Sequence, residues 1–259
     1  MISTIKIGCC GYGNIRGGLK KYASVFNVIE LQSTFYNLPK IETAKKWLDE
    51  ALSVNANFEF TIKAWQGISH PPDSPTWQHS KIKPDLSMGS LKPTEKNFNS
   101  WKEIINIAKV LKSKFIVIQT PPSFDPSEIN IKNMRDFFSS IDRNGIIIGW
   151  EPRGKWKNQP DMIMKLCNEL NLVHVVDPFR IMPLSNLPYV YFRLHGIGGT
   201  EYNYRYKYSD DDLAKLLMII DEQVNRNKSE IYVMFNNFEM IDDAQRFLSI
   251  IEKRKLKYT

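Results

Sequence analysis

Eight short apolar runs recur along the 259-residue chain, and segments of helical periodicity separate several of them. Each run is four to seven residues long and rich in Ile, Val, Phe and Tyr. Several are continuously apolar, which is typical of parallel strands covered on both faces. The predicted strands are Ile5–Cys10, Val28–Leu31, Phe58–Lys63, Phe115–Gln119, Ile146–Glu151, Leu172–Val176, Tyr189–His195 and Ile231–Phe235.

Apolar residues at helical spacing predict the helices that accompany these strands. They cover Ile41–Ser53, Phe98–Leu111, residues 210 to about 225, and a closing segment around residues 241–251; Ser209 with Asp212 resembles a capping box at the start of the third. Eight strands with seven connections and a closing helix predict an α/β fold, a single (β/α)8 barrel of the TIM type over residues 1–259. An open doubly wound sheet is the alternative.

Two connections depart from a regular barrel. Residues 64 to about 97 contain five prolines and predict a long Pro-rich excursion after strand three. A connection of that length is usually a functional lid or holds a small element of its own. The connection after strand six is short and leaves little room for a helix between Phe179 and Leu187.

Composition narrows the class of protein. The chain is 42% hydrophobic and 24% charged, so it can bury a sizeable core. Its three cysteines cannot build a disulfide framework and fit a reducing compartment. No apolar run approaches the roughly 18 residues of a spanning helix, and the N-terminus lacks a signal-peptide pattern. We expect a soluble, cytoplasmic protein with no membrane partner.

The net charge of +7 is unevenly spread. Residues 81–114 carry eight lysines against three acidic residues, and residues 252–257 carry four cations against one acid. This balance permits a nucleic-acid or phosphate partner but does not require one. The sequence indicates no oligomeric state.

Polar and ionisable residues stand at the end of nearly every predicted strand. In a barrel of this type the chemistry lies at the carboxyl ends of the strands. The candidates are Tyr36, Lys63, His70, Gln119, Glu151, Arg153, Asp177, Arg193, His195, Asn236 and Asn237. A rim that collects so many such groups predicts a ligand site.

The same strand ends carry a family resemblance. The segments IGCCGYG, VIELQSTFYNLP, FTIKAWQGISH, VIQTPPSF, GWEPRGKW, VVDPF, VYFRLHG and YVMFNN occur in this order. From about Ile5 to Phe247 the chain resembles the YecE-like family, the domain of unknown function seventy-two. The resemblance implies a TIM-type barrel, similar in fold to sugar isomerases and endonuclease IV-type enzymes, without an established reaction. The family more often has an IG-x-SGW pattern where Cys9, Cys10 and Tyr12 stand here.

The candidate residues fit acid–base or metal chemistry. Glu151, Asp177 and His195 form a predicted acid–base set, with His70 in the nearby loop and Lys63 as an electrostatic partner. The same Glu151, Asp177 and His195 are candidate ligands of a divalent metal, although no local metal motif occurs. The structural alternatives are an ion pair between Glu151 and Arg153 and a turn cap by Asp177.

Phosphate binding is the second predicted task of this rim. Arg153 and Arg193 are cations able to hold an anion. The turn from Gly196 through Gly198 and Gly199 to Thr200 offers backbone N–H groups in the region where such barrels bind phosphate.

An aromatic segment follows that turn. Tyr202, Tyr204, Arg205 and their neighbours to Tyr208 alternate aromatic rings with cations, a pattern suited to stacking on bases or sugars. A β-hairpin arm or a dimer contact is the structural alternative.

Three functions compete. The leading hypothesis is an enzyme whose pocket binds a phosphorylated small molecule or nucleic acid, with phosphodiester hydrolysis as the reaction and Gln119, Asn236 and Asn237 binding the substrate. The alternatives are a non-catalytic nucleic-acid-binding barrel and a sugar or sugar-phosphate enzyme of the isomerase type. Glycosidase chemistry needs a second carboxylate, and Glu30 qualifies only if it points inward.

Overall fold

Eight parallel strands close into one barrel in the computed structural model, which describes residues 3–199 and 201–254. The strands are β1 Thr4–Cys10, β2 Val28–Leu31, β3 Glu59–Lys63, β4 Phe115–Gln119, β5 Ile147–Glu151, β6 Val173–Val176, β7 Tyr189–Leu194 and β8 Glu230–Phe235. Their order around the barrel is their order along the chain. The predicted (β/α)8 barrel is confirmed, and each predicted strand forms within one residue of its expected bounds.

Helices follow most of the strands. They are α1 Gly18–Ala23, α2 Ser33–Tyr36, α3 Ile41–Leu52, α4 Glu95–Val110, α5 Glu128–Ser140, α6 Pro160–Glu169, α7 Asp210–Asn225 and α8 Met240–Lys253. The predicted capping box begins α7: the Ser209 side chain accepts from the Asp212 amide, and the Asp212 side chain accepts in return. As expected, no helix lies between β6 and β7.

The apolar runs form strands because both of their faces are covered. Val28–Leu31 and Val173–Val176 are buried along their whole length. Helix α8 buries one apolar side, including Ala244, Phe247 and Ile251. Continuous apolarity in the strands and one-sided apolarity in the helices are what a barrel inside a helical layer requires.

The chain divides into two compact units. The first consists of residues 1–30, 49–59 and 173–259, and the second of residues 31–48 and 60–172. Strands β1 and β6–β8 belong to the first unit, and β4 and β5 belong to the second. The candidate residues are therefore described one unit at a time.

The Pro-rich connection between β3 and α4 holds two 3₁₀ helices, Gln66–Ile68 and Pro75–His79. Its first part is buried from Ala64 to His70. Across the described residues, no helix has the length and apolar character needed to cross a membrane.

Candidate functional site

A buried ion pair crosses the barrel interior of the first unit. Arg193 on β7 donates from Nη2 to Oε1 of Glu30 on β2 at 2.9 Å, and the two side chains are 1% and 0% exposed. Tyr191 donates its hydroxyl to the other Glu30 oxygen at 2.9 Å. Strands β1 and β8 separate β2 from β7 around the barrel, so these bonds run through its interior. Glu30 does point inward, and it does so as the partner of a cation.

The cysteines beside this pair are packing groups. Cys9 and Cys10 are buried at the end of β1. Burial raises the pKa of both thiols, and the Glu30 carboxylate raises that of Cys10 further. A thiol that resists ionisation is a poor nucleophile, so neither side chain is suited to covalent catalysis.

His195 is held by one polar group at its backbone and by another at its ring. Its backbone N–H donates to Oδ2 of Asp177 at 2.9 Å, and its Nδ1 lies 3.1 Å from Nδ2 of Asn236. An amide nitrogen is a donor, so Nδ1 accepts, and the neutral ring carries its proton on Nε2. Asn236, which follows β8, therefore sets the tautomer of His195.

The Asp177 carboxylate accepts hydrogen bonds from backbone N–H groups. Besides accepting from His195, its Oδ1 accepts from the Phe179 N–H at 3.0 Å, and Arg180 lies 3.7 Å from Oδ2. These contacts match the turn-capping alternative for Asp177. They also tie the end of β6 to the residue that follows β7.

The glycine-rich turn after His195 is held through its carbonyl groups. Arg180 donates to the carbonyls of Gly196 and Gly198 at 2.9 and 2.6 Å. Gly196 itself donates its N–H to the Tyr208 hydroxyl at 2.8 Å. Its φ is +84°, and a Cβ there would come within 2.1 Å of the Asn203 carbonyl oxygen, so only glycine fits. An anion site at Gly198 and Gly199 stays a prediction, and Thr200 lies outside the described residues.

The tyrosine segment forms a loop that packs against His195. The Tyr204 ring meets the imidazole edge-on at 5.9 Å, and Tyr202 stacks on Tyr204 at 4.9 Å with 19° between the planes. Tyr206 donates its hydroxyl to Asp212 at 2.6 Å, and Tyr208 is buried. The rings of Tyr204 and Tyr202 thus extend outward from His195, while those of Tyr206 and Tyr208 anchor the loop. Arg205 is exposed in the turn between these pairs.

Asn237 has a structural position. Its side-chain amide donates to the Tyr206 carbonyl at 2.8 Å and to Oδ2 of the buried Asp243 at 2.7 Å. These bonds join the loop after β7 to helix α8. The residue therefore supports the tyrosine loop, whereas its neighbour Asn236 contacts the imidazole.

In the second unit, Lys63 and His70 pack on one aromatic ring. The Lys63 ammonium lies 4.0 Å from the centroid of the Phe35 ring, and the His70 ring meets Phe35 edge-on at 4.8 Å. Burial, and then the positive charge of Lys63, lower the pKa of His70 to about 3. His70 is therefore neutral at physiological pH. Tyr36 extends this cluster by packing against Phe35 at 5.0 Å.

Glu151 and Arg153 form an ion pair at the end of β5. Arg153 donates from Nη2 to Oε1 of Glu151 at 2.8 Å, and the side chains are 10% and 5% exposed. This ion pair is the structural alternative that the sequence left open for Glu151 and Arg153. The neighbouring strand places Gln119 in register with Glu151. Glu151 and Gln119 therefore stand side by side in this unit.

The predicted metal site finds no support. Among the described residues, no group of three or more His, Cys, Asp or Glu side chains is arranged to hold a metal ion. Glu151 belongs to the second unit and Asp177 and His195 to the first, and their joint role as metal ligands stays a prediction.

Several residues that contact the candidate site residues were not identified from the sequence. Tyr191 lies inside an apolar segment, where it is indistinguishable from a core residue, and Phe35 is an apolar residue that follows the predicted strand Val28–Leu31 without a chemical group to single it out. Arg180 follows a strand end by four residues, and nothing local shows that it binds the turn after β7. For Tyr191, the alternation with Arg193 along one strand face was the available hint.

Polar groups clustered where parallel barrel strands end define the class of this protein, a (β/α)8 barrel with its candidate site at the strand carboxyl ends. The family model described as "Protein of unknown function DUF72" matches residues 11–258, and the chain belongs to this family. The resemblance seen in the sequence is thereby confirmed.

Known relatives agree with this assignment. The chain is 23% identical to the UPF0759 protein YunF of Bacillus subtilis, over 93% of this chain and 88% of that protein. A DUF72 family protein of Enterococcus faecalis has a similar structure, with a TM-score of 0.71, 21% identity and 98% of both chains covered. A xylose isomerase domain containing protein of Salmonella typhimurium shares the fold, with a TM-score of 0.57, 12% identity and coverage of 96% and 97%.

Proposed function

We propose that this protein is an enzyme that transfers protons on a sugar or sugar phosphate, with His195 donating from Nε2 to a ligand oxygen. The observation that carries the proposal is the contact of the imidazole Nδ1 with the Asn236 amide nitrogen at 3.1 Å, which favours the tautomer with its proton on Nε2. A neutral imidazole held as an Nε2 donor polarises a carbonyl oxygen and supplies a proton as charge develops there. Isomerisation or epimerisation next to a carbonyl uses such a donor together with a carboxylate base that takes the carbon-bound proton and returns it, the role that the sequence assigns to Glu151 or Asp177.

The charges of the site favour this proposal over phosphodiester hydrolysis. Both arginines expected to hold phosphate have a carboxylate partner within 3 Å, Arg193 with Glu30 and Arg153 with Glu151. Gly196, expected to offer its N–H to an anion, donates to Tyr208 instead. A ligand rich in hydroxyl groups needs hydrogen-bonding partners more than uncompensated cations.

Two further observations are compatible with a sugar ligand. The Tyr204 ring, which meets the imidazole edge-on, suits the flat face of a sugar ring. The shared fold with a xylose isomerase domain containing protein is consistent with the proposal, although at 12% identity that likeness concerns the fold.

The test follows carbon-bound protons. Aldoses, ketoses and their phosphates are incubated with the protein in D₂O, and deuterium incorporation next to the carbonyl is followed by NMR. The wild type should exchange at least one substrate, and His195→Ala should lose about 10²–10⁴-fold of that rate. His79→Ala, in the exposed loop, is the matched control and should retain it. Glu151→Gln tests the carboxylate that the sequence assigned to the acid–base set.

A wild type that neither exchanges deuterium nor gains thermal stability with any compound of the panel would remove the proposal. Phosphodiester hydrolysis is the second candidate, because the exposed Arg205 stands beside the Tyr202–Tyr204 stack. Cleavage of an oligonucleotide that depends on His195 and not on His79 would favour it.

A further inference from the structure

Two large aromatic rings of the first unit are exposed next to the residues that hold His195. Tyr202 is 52% exposed and Phe238 is 63% exposed. Both are tied to Tyr204: Tyr202 by stacking at 4.9 Å, and Phe238 by its backbone N–H, which donates to the Tyr204 carbonyl at 2.7 Å. Tyr204 in turn contacts the imidazole. Stacking holds the Tyr202 ring, and the backbone bond fixes the position from which the Phe238 side chain extends. We call Tyr202 and Phe238 the aromatic platform.

A polar cleft adjoins Phe238. It has a volume of about 240 Å³ and is lined by Asn14, Ile15, Glu239, Ile241, Asp242 and Gln245. Four of these side chains carry amide or carboxylate groups, which exchange hydrogen bonds with hydroxyl groups, and two are apolar. Polar groups and apolar surface in one small cleft match the two kinds of surface on a sugar ring.

The cleft lies within reach of the imidazole. Asn236, which contacts His195, and Glu239, which lines the cleft, are three residues apart, so their Cα atoms are separated by at most about 11 Å. That separation is comparable with the length of two linked sugar rings.

The charges of the cleft distinguish a saccharide from a nucleotide. Glu239 and Asp242 are both acidic, and one cation, Lys207, pairs with Asp242 at 2.9 Å. The remaining negative charge repels a phosphate group and tolerates a neutral hydroxyl-bearing ring.

We infer that the aromatic platform and its cleft bind a second saccharide unit, so that the ligand of this protein is a disaccharide or longer glycoside. The inference rests on the proposed function, because it assigns the second ring of the ligand whose first ring meets His195. The Tyr202 and Phe238 rings stack on the apolar faces of the sugar, and the cleft binds its hydroxyl groups.

The test compares the binding affinities of sugars that have one ring with those of sugars that have two. Isothermal titration is carried out with glucose and xylose against maltose, cellobiose and xylobiose, and with AMP as the nucleotide probe. At least one disaccharide should bind the wild type about tenfold more tightly than its monosaccharide. Tyr202→Ala and Phe238→Ala should abolish that gain and leave monosaccharide binding unchanged, while Tyr202→Trp should keep it. Met218→Ala, which removes another exposed apolar side chain on α7, is the matched control.

Equal affinities for mono- and disaccharides in the wild type would overturn the inference. So would AMP binding that exceeds that of every saccharide and depends on Tyr202 and Phe238. A disaccharide gain that the platform variants abolish, without any His195-dependent deuterium exchange, would uphold the platform and refute the proposed function. If no saccharide binds, the platform inference is wrong, and the deuterium-exchange panel with its sugar phosphates decides the proposed function.

Discussion

The two ends of the barrel interior in the first unit use polar side chains in opposite ways. At the amino ends of the strands, Lys6 donates to Glu59 at 2.5 Å, to Glu230 at 2.7 Å and to the Tyr232 hydroxyl at 3.0 Å. The Tyr232 hydroxyl donates its one proton to Glu59 at 2.5 Å and lies 3.1 Å from the Glu230 carboxylate. We call these four residues the floor network. Its members satisfy one another with opposite charges.

At the carboxyl ends, two neighbouring polar groups position His195 through its ring and its backbone. Asn236, a neutral amide, is bonded to the imidazole, and the Asp177 carboxylate accepts from the backbone N–H of the same residue. The difference shows that a cluster of charges in a barrel is no sign of function by itself. A group held in one protonation state and one orientation is the better indicator.

Breaking the floor network should have the largest effect on folding. Lys6→Met leaves Glu59 and Glu230 without their cation, and removing one member of a buried ion pair costs about 3–5 kcal/mol. Urea unfolding should show that loss, while deuterium exchange per folded molecule stays at the wild-type rate. Lys21→Met, at an exposed lysine of α1, is the control and should change stability by less than about 0.5 kcal/mol. A Lys6 variant of normal stability would mean that the floor contributes nothing.

A substitution of Asn236, at the carboxyl ends of the strands, should lower the activity more than it lowers the stability. Asn236→Asp places a carboxylate beside Nδ1, so that Nδ1–H donates, the Nε2 proton is lost from the neutral ring, and the pKa of His195 rises. Activity should fall by about 10²-fold or more, since a wrong tautomer leaves the geometry intact but removes the donor. The ¹⁵N shifts of the ring report the tautomer directly. Asn236→Ala, which imposes neither tautomer, should lose less activity than Asn236→Asp; the reverse order would contradict the assignment.

Acid sensitivity just below neutral pH should arise from His70, a buried histidine of the Pro-rich connection. The folded pKa of His70 is about 3, below the ordinary value of 6.5, because of burial and the charge of Lys63. The unfolded chain therefore binds a proton more readily, and the stability from neutral His70 is complete above pH 6.5 and declines as pH falls toward 3. The expected slope is about 1.4 kcal/mol per pH unit. Urea unfolding between pH 7 and 4 should show this slope in the wild type and in His79→Gln, and lose it in His70→Gln.

The fold could be predicted from the sequence because strand identity depends on local composition. Val28–Leu31 and Phe115–Gln119 have the bounds that their apolar runs indicate. Helix α5, Glu128–Ser140, was not predicted, since its apolar residues are interrupted by polar ones. Helix α1 was not predicted for another reason: it has only six residues, too few to show helical periodicity.

The candidate site was predictable by residue type and not by partner. His195 and Arg193 stand at a strand end that any barrel uses, so the sequence was enough to single them out. Their partners are 41 and 163 residues away, and only the register and closure of the barrel bring Asn236 and Glu30 to them. That is why Arg193 was expected to bind phosphate, although in the folded chain its charge is compensated by Glu30.

The smallest effect is expected within the tyrosine loop, from removing the Tyr206 hydroxyl. Tyr206 supports the loop by donating to Asp212 at 2.6 Å, whereas Tyr202 turns an exposed ring outward. Tyr206→Phe keeps the ring and deletes one hydrogen bond, so the free energy of unfolding should fall by about 1 kcal/mol. Saccharide binding should stay unchanged, in contrast to Tyr202→Ala. Equal losses of binding in the two variants would mean that the loop acts as one structural unit, and the distinction between its ligand-facing and anchoring halves would be wrong.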